Sequence, residues 1–217
     1  MCIDFTSLNT ACPMDPFLMP KIDQLVDSTT GFGFLTFMDA FSGYNQIKMY
    51  PEDEEKTAFT TDVGLYCYQV MPFGLKNAGA TFQKMVNKIF AQQIGRSIEV
   101  YMDDMLVKSS TAEQHLTDLQ EAFDIMRATQ LKLNPKKSFF GLTGGKFLGL
   151  LVSCRGIEVH PTQSQAIIQM APPFNLKELQ KLTGKLVALN RFIAKSREVC
   201  LPFFKIMKKG SPISMDR

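Results

Sequence analysis

Several features that would assign a protein to a specialised class are missing from this sequence of 217 residues. Its five cysteines are scattered, odd in number and never spaced as CxxC, which favours reduced intracellular thiols over disulfides or a zinc site. No uninterrupted apolar run approaches the roughly 18 residues that a membrane span needs. The first residues lack the basic and apolar regions of a secretory signal. An ordinary globular protein, without repeats or low-complexity segments, is therefore expected.

The net charge of +3 conceals a gradient along the chain. Residues 1–110 carry 8 Lys and Arg against 13 Asp and Glu, whereas residues 174–217 carry 10 against 3. An acidic half favours a cation site, and a basic tail favours a polyanionic partner. A solvated basic surface is the alternative interpretation of the tail.

The spacing of apolar residues predicts an α+β fold. The predicted elements are a buried strand at 32–41, a hairpin at 57–61 and 65–70, a helix at 78–94, a strand–turn–strand at 97–110, a helix capped by Ser110 and Glu113 with an apolar stripe that includes Leu116, and a hairpin at 146–159. This order indicates an antiparallel sheet with helices on one face, followed by a small helical subdomain.

Two adjacent aspartates, Asp103 and Asp104, interrupt the apolar stretch SIEVYMDDMLVKSS. Successive strand side chains alternate faces, so the chain must turn at residues 102–105 for both carboxylates to reach one rim of the sheet. An ordinary turn is the alternative, although a plain hairpin turn prefers a glycine that is missing here. Asp39 ends another apolar strand. If the strands are neighbours, three carboxylates converge, and divalent cations, Mg²⁺ first, are their natural partners.

Five motifs then appear in one order: FMDAFSGYNQIKM (37–49), YQVMPFGLKNAGATFQ (68–83), YMDD (101–104), LKLNPKKS (131–138) and FLGLLVSCRGI (147–157). Together they resemble the reverse transcriptase of gypsy-type LTR retrotransposon Pol polyproteins, especially those of plant elements, over nearly the whole chain. The resemblance implies the palm of a right-hand polymerase at 37–160, with an antiparallel sheet and helices on one face. It also implies residual fingers at 1–36 and a small helical thumb at 161–217.

The resemblance implies an RNA-directed DNA polymerase that adds deoxynucleotides to a primer 3′-hydroxyl. Asp39, Asp103 and Asp104 would be catalytic and would hold two Mg²⁺ ions, with the Ala40 carbonyl as a further ligand and Mn²⁺ as a possible substitute. Tyr44 would lie beneath the nucleotide sugar and exclude a 2′-hydroxyl; a core tyrosine is the alternative.

The remaining implied contacts are with nucleotide and nucleic acid. Phe73 and Gly74 would line the nucleotide pocket. Lys136 or Lys137, with Lys137 named for the site, would protonate pyrophosphate; a solvated surface lysine is the alternative. Phe147, Leu148 and Gly149 resemble a primer grip. In the thumb helix, Gln180, Gly184 and Lys185 would follow a duplex minor groove, and Lys177, Lys181 and Lys185 form a basic stripe.

The sequence also departs from the family pattern. It starts within the fingers segment, and Thr6 stands where many relatives carry arginine. We therefore expect a piece of a longer polyprotein, truncated at its N-terminus, whose protease, RNase H and integrase lie outside this chain. Its partners would be an RNA or DNA template with a primer and deoxynucleotides, in cytoplasmic virus-like particles. The alternatives are a catalytically silent fragment that at most binds nucleic acid, and an RNA-dependent RNA polymerase, against which Tyr44 and YMDD argue.

Overall fold

The computed structural model describes residues 3–209 and divides the chain into two compact units. The first unit contains the residues up to Leu148 together with Val152–Ile157, and the second contains Gly149–Leu151 and the residues from Glu158 onward. None of the helices in the described residues combines the length and the apolar character that a membrane crossing requires.

The first unit contains both helices and strands. In chain order they are α1 (Thr6–Ala11), α2 (Ile22–Asp27), β1 (Phe34–Asp39), α3 (Pro51–Glu54), β2 (Phe59–Thr61), β3 (Gly64–Tyr66), α4 (Ala78–Ile89), β4 (Ile98–Tyr101), β5 (Asp104–Ser109), α5 (Ala112–Thr129), β6 (Phe139–Leu142) and β7 (Gly144–Phe147). The elements that follow are β8 (Leu150–Ser153), β9 (Gly156–Glu158), α6 (Pro161–Ile168), α7 (Leu176–Ala188) and α8 (Ser196–Lys209). The mixed α+β prediction is confirmed.

A four-stranded antiparallel sheet, in the order β4-β5-β1-β6, organises the first unit. One face of the sheet packs against α4 and α5. The buried side chains that these elements share are Met38, Phe82, Val86, Phe90, Ile98, Val100, Met105, Val107, Ala122 and Met126. Their alternation along the strands and their helical spacing in α4 explain why apolar periodicity located these elements.

The opposite face of the sheet is also covered, which corrects the prediction that helices lie on one face alone. The Lys108 ammonium lies 2.7 Å from Glu99 and donates to the carbonyl oxygen of Ser28, just after α2. Ser28 itself donates to Glu99. Both charged side chains are almost fully buried. Because charged residues in a strand normally mark a solvent face, this buried pair hid the second packed face from a reading of the sequence.

The start of α5 differs from the sequence prediction. Its N-cap is Thr111, whose hydroxyl accepts from the Gln114 N–H, so the predicted Ser110 cap is wrong. The predicted stripe is also shifted, because Leu116 is 70% exposed and His115 is buried in its place. His115 Nε2 lies 2.8 Å from the Thr36 hydroxyl, and its Nδ1 lies 3.0 Å from Ser109. These hydrogen bonds allow a polar side chain to replace an apolar one in the core.

The hairpin predicted at 146–159 is instead the three-stranded sheet β7-β8-β9. In the second unit, α7 begins with the predicted capping pattern, since the Glu178 N–H donates to the Asn175 side chain at 2.9 Å. Leu179 and Leu189 are buried and Gln180 and Gly184 are exposed, as the spacing predicts.

Candidate active site

Two of the three aspartates face each other across the central strands. Asp39 ends β1 and Asp104 begins β5, and the antiparallel register makes them direct partners. Direct cross-strand partners share one face of a sheet, with Cα atoms about 4.5–5.5 Å apart. The face that they share is opposite to that of Met38 and Met105, which pack against the helices.

Asp103 lies in the two-residue turn between β4 and β5. Its carbonyl oxygen accepts from the Ala40 N–H at 3.0 Å, which ties the turn to the end of β1. Its Oδ1 is buried and has no hydrogen-bond partner. A Cβ built on Gly43 would overlap this oxygen, so only glycine leaves room for the carboxylate at this position.

Burial and neighbouring negative charge both act on the carboxylates of Asp103 and Asp104. Burial, with the charges of Asp39 and Asp104, raises the pKa of Asp103 to about 6. Burial and the charge of Asp39 also raise the pKa of Asp104, while Lys137 and Lys146 oppose that rise. Both shifts mean that ionising these carboxylates is unfavourable, through burial first and through neighbouring negative charge second, and a bound cation would offset both effects.

The side chains as they stand do not form a complete ligand set. Within the described residues, no three His, Cys, Asp or Glu side chains are grouped closely enough to hold a metal ion. The expectation that the three carboxylates share bound cations stays a prediction. The turn directs the Asp103 oxygen toward Gly43, and Asp39 instead lies 3.6 Å from the Lys137 ammonium. The donors nevertheless suit Mg²⁺, because they are hard oxygens and one of them is buried without a partner.

A pocket of about 270 Å³ opens on the carboxylate side of the sheet. Asp39, Asp104, Lys137 and the predicted primer-grip residue Phe147 line it. Lys137, not Lys136, is therefore the lysine beside the carboxylates. Leu148 and Gly149 form the turn after β7, with φ of 49° and 85°, and Gly149 is suited to that left-handed conformation.

The predicted nucleotide residues cluster on the other side of the turn. Tyr44 is half-buried, with its ring centroid 5.2 Å from that of Phe73. Burial and the charge of Asp103 raise the pKa of Tyr44. Phe73 is 55% exposed, so its outer face is free to contact a ligand.

Gly74 is held by a side chain of the N-terminal segment. The Asn9 side chain donates to the Gly74 carbonyl at 2.8 Å and accepts from the Lys76 N–H at 2.7 Å. Gly74 has a φ of +95°, which favours glycine, and a Cβ there would contact Phe5. Asn9 thus stabilises the loop that carries Phe73, a role the sequence analysis missed.

The predicted thumb residues lie in the second unit and divide into two groups. Gln180 and Gly184 are exposed on α7, and no atom lies within 4 Å of a Cβ built on Gly184. Lys185 instead donates to the Ala166 carbonyl at 3.0 Å, near the end of α6. This hydrogen bond removes Lys185 from the exposed basic stripe that the sequence predicts, and leaves Lys177 and Lys181 on the surface.

Comparison with known proteins identifies the family of this chain. Residues 1–152 match the family described as reverse transcriptase (RNA-dependent DNA polymerase). This chain belongs to the reverse transcriptase family.

Relatives of this reverse transcriptase domain include retrotransposon polyproteins. It is 35% identical over 208 residues to the retrovirus-related Pol polyprotein from transposon opus of Drosophila melanogaster, covering 96% of this chain and 21% of the relative. For transposon 297 of the same organism the identity is 32% over 215 residues, with 99% and 20% coverage. For the transposon Tf2-3 polyprotein of Schizosaccharomyces pombe it is 29% over 209 residues, with 96% and 16%. The chain spans about a fifth or less of these relatives.

Solved structures show the same fold. The foamy viral protease–reverse transcriptase in complex with dsDNA matches with a TM-score of 0.90 and 22% identity, over 100% of this chain and 45% of that one. The same enzyme in complex with an RNA/DNA hybrid matches with a TM-score of 0.84 and 21% identity, over 98% and 29%.

The reverse transcriptase domain contains two site residues that the sequence analysis did not single out. Gly43 leaves space for the Asp103 carboxylate, and Gln83 is fully buried and hydrogen-bonded to the YMDD turn. No spacing in the sequence marks Gln83, because its burial and its hydrogen-bond partners depend on tertiary packing.

Proposed function

We propose that this chain is an RNA-directed DNA polymerase that extends a primer by deoxynucleotide addition. The observation that carries the proposal is the register that makes Asp39 and Asp104 direct partners beside the buried, unpaired oxygen of Asp103. Membership of the reverse transcriptase family supports the reaction type.

Two Mg²⁺ ions, or Mn²⁺, would be held by Asp39, Asp103 and Asp104, with the Ala40 carbonyl as a further ligand. When bound, the ions would lower the pKa of the primer hydroxyl and stabilise the leaving pyrophosphate. The raised pKa of Asp103 and the hard-oxygen donors support this assignment.

The other residues of the site would orient the nucleotide. Tyr44 would contact the sugar and exclude a 2′-hydroxyl, with Phe73 beside it and Gly74 allowing a close backbone approach. The 5.2 Å contact between the two rings supports a shared pocket. Lys137 would hold the proton for the leaving pyrophosphate, and its place beside Asp39 supports that role.

The partners would be an RNA or DNA template with its primer. Phe147, Leu148 and Gly149 would hold the primer end, and Gln180 and Gly184 would follow the minor groove. The structural neighbours bound to dsDNA and to an RNA/DNA hybrid support both duplex types. Lys185 would act indirectly on the duplex, by fixing α7 against α6, because its ammonium already donates to the Ala166 carbonyl.

In this proposal residues 1–36 are residual fingers, 37–160 the palm and 161–217 the thumb; residues 1, 2 and 210–217 lie outside the described part. The parent would be a gypsy-type LTR retrotransposon Pol polyprotein with protease, RNase H and integrase, working in cytoplasmic virus-like particles. Its plant-like character rests on the wording of the motifs alone, since the relatives named above come from fly and fission yeast.

The test is RNA-templated primer extension with Mg²⁺ by the wild type, Asp103→Asn and Asp62→Asn. Asp62 is an exposed aspartate in the turn between β2 and β3, so it provides a control for loss of a turn charge. Extension by the wild type and Asp62→Asn, with none by Asp103→Asn, is expected. If the folded wild type binds primer–template without extending it, the chain is a silent nucleic-acid-binding fragment and the proposal fails.

A further inference from the structure

Gln83 is a polar side chain at the centre of the first unit, on α4 and with no exposed surface. Both ends of its amide are engaged. Its Oε1 accepts from the Met102 N–H at 2.7 Å, and its Nε2 donates to the Val100 carbonyl at 3.2 Å and to the Asn87 side chain at 2.9 Å. Gln83 therefore connects α4 to the backbone on both sides of Tyr101.

Met102 is the residue that needs this support. Its φ is +51°, in the left-handed region that residues with a Cβ rarely adopt. A turn without glycine has no intrinsic preference for this conformation, and a backbone N–H in the interior is costly to leave unpaired. The hydrogen bond from the Met102 N–H to Gln83 stabilises the left-handed conformation and pairs the buried N–H.

The Met102 side chain is held by the same region. A Cβ built on Gly79, in the first turn of α4, would lie 3.0 Å from the Met102 methyl group. The Tyr44 hydroxyl lies 3.8 Å from the Met102 sulfur. The Met102 backbone is thus held by Gln83, and the Met102 side chain packs beside Gly79 and Tyr44. The two residues that follow Met102 are Asp103 and Asp104.

We infer that Gln83 is a positioning residue for nucleotide addition, because it holds Met102 in the left-handed conformation that directs the two following carboxylates. The inference deepens the proposed polymerase function and rests on it for its kinetic consequence. Its structural core, that Gln83 holds the turn, does not depend on any activity.

The experiment compares Gln83→Met, which removes all three hydrogen bonds at similar volume, with Gln83→Glu, which keeps an acceptor for the Met102 N–H. Gln93→Met is the matched control. Gln93 is also a buried glutamine, 5% exposed, but its side chain donates to Glu121 at 2.7 Å and makes no hydrogen bond to the turn. Gln93→Met therefore reports the effect of losing a buried amide that does not contact the turn.

Two measurements are made on folded protein. Amide hydrogen exchange at Met102 should be about tenfold faster in Gln83→Met than in Gln93→Met, the factor expected for one hydrogen bond. The kcat of RNA-templated extension should fall about tenfold or more with the KM for deoxynucleotide nearly unchanged, since a misdirected carboxylate impairs chemistry more than binding. Gln83→Glu should keep Met102 protection and an intermediate kcat.

Equal exchange at Met102 in the two methionine variants would overturn the inference, as would a Gln83→Glu variant that protects Met102 no better than Gln83→Met. If Gln83→Met does not fold, the comparison of Gln83→Glu with the wild type and Gln93→Met decides it, with loss of Met102 protection in Gln83→Glu counting against it. If the wild type extends no primer, the proposed function fails, and hydrogen exchange still decides whether Gln83 holds the turn.

Discussion

Replacing Gly43 by alanine tests the geometry of the site with a single added methyl group. Gly43 is buried and does not have a positive φ, so alanine introduces no backbone strain. Its Cβ would overlap Asp103 Oδ1 and would lie 2.9 Å from the Phe82 ring. Because Phe82 is fully buried in the core, the carboxylate is the group that can move.

The expected magnitudes follow from these contacts. Overpacking against Phe82 should cost about 1–3 kcal/mol, and at about 2–4 °C per kcal/mol the Tm should fall by roughly 2–12 °C. A carboxylate displaced by about 1 Å should reduce the rate of nucleotide addition about a hundredfold. Activity should therefore fall far more than the folded fraction.

The assay is single-nucleotide incorporation on an RNA template, with the Tm measured on the same preparation. Asp62→Asn serves as the folding control, because Asp62 is exposed in the turn between β2 and β3 and its change should leave both the Tm and the rate near wild type. An alanine at position 43 that leaves the incorporation rate within twofold of the wild type would refute the reasoning.

Four further outcomes are expected. Burial lowers the pKa of His115, so the unfolded chain takes up a proton at a higher pH than the folded chain does. The free energy of unfolding should therefore fall as the pH drops below about 6.5. Urea titrations at several pH values should show a weaker fall in His115→Gln. In Lys108→Met the free energy of unfolding measured in urea should fall by about 3–5 kcal/mol, because Glu99 stays buried without its cation. Adding Glu99→Gln should restore part of that free energy. A smaller residue at Tyr44 should raise the kcat/KM for ribonucleotides relative to deoxynucleotides about tenfold; unchanged sugar selectivity would argue against the gate. Gly184→Leu should shorten products in a trap assay more than it lowers the Tm, and unaltered product length would exclude a close groove contact.

β1, β4, β5 and α4 could be predicted from their apolar patterns, whereas β6 was not predicted. The pairing of β1 with both β5 and β6 could not, since strand order depends on tertiary packing and not on local pattern. The prediction that Asp39 lies near Asp103 and Asp104 came from the resemblance to reverse transcriptases, and not from periodicity.

The remaining differences have local physical causes. Thr111 competes with Ser110 for the cap, and the two are equally suitable by residue type. Leu116 is displaced from the core because His115 finds partners in Thr36 and Ser109. The roles of Gln83 and Lys185 depend on which backbone carbonyls and N–H groups approach them, which spacing in the sequence does not reveal.

The most direct measurement of the central claim is the rate of one deoxynucleotide addition by Asp103→Asn, with primer–template and nucleotide both saturating. If the aspartates hold the catalytic cations, the rate should fall at least about a hundredfold while primer–template affinity and Tm stay near wild type. An Asp103→Asn enzyme that adds the nucleotide at the wild-type rate would contradict the account.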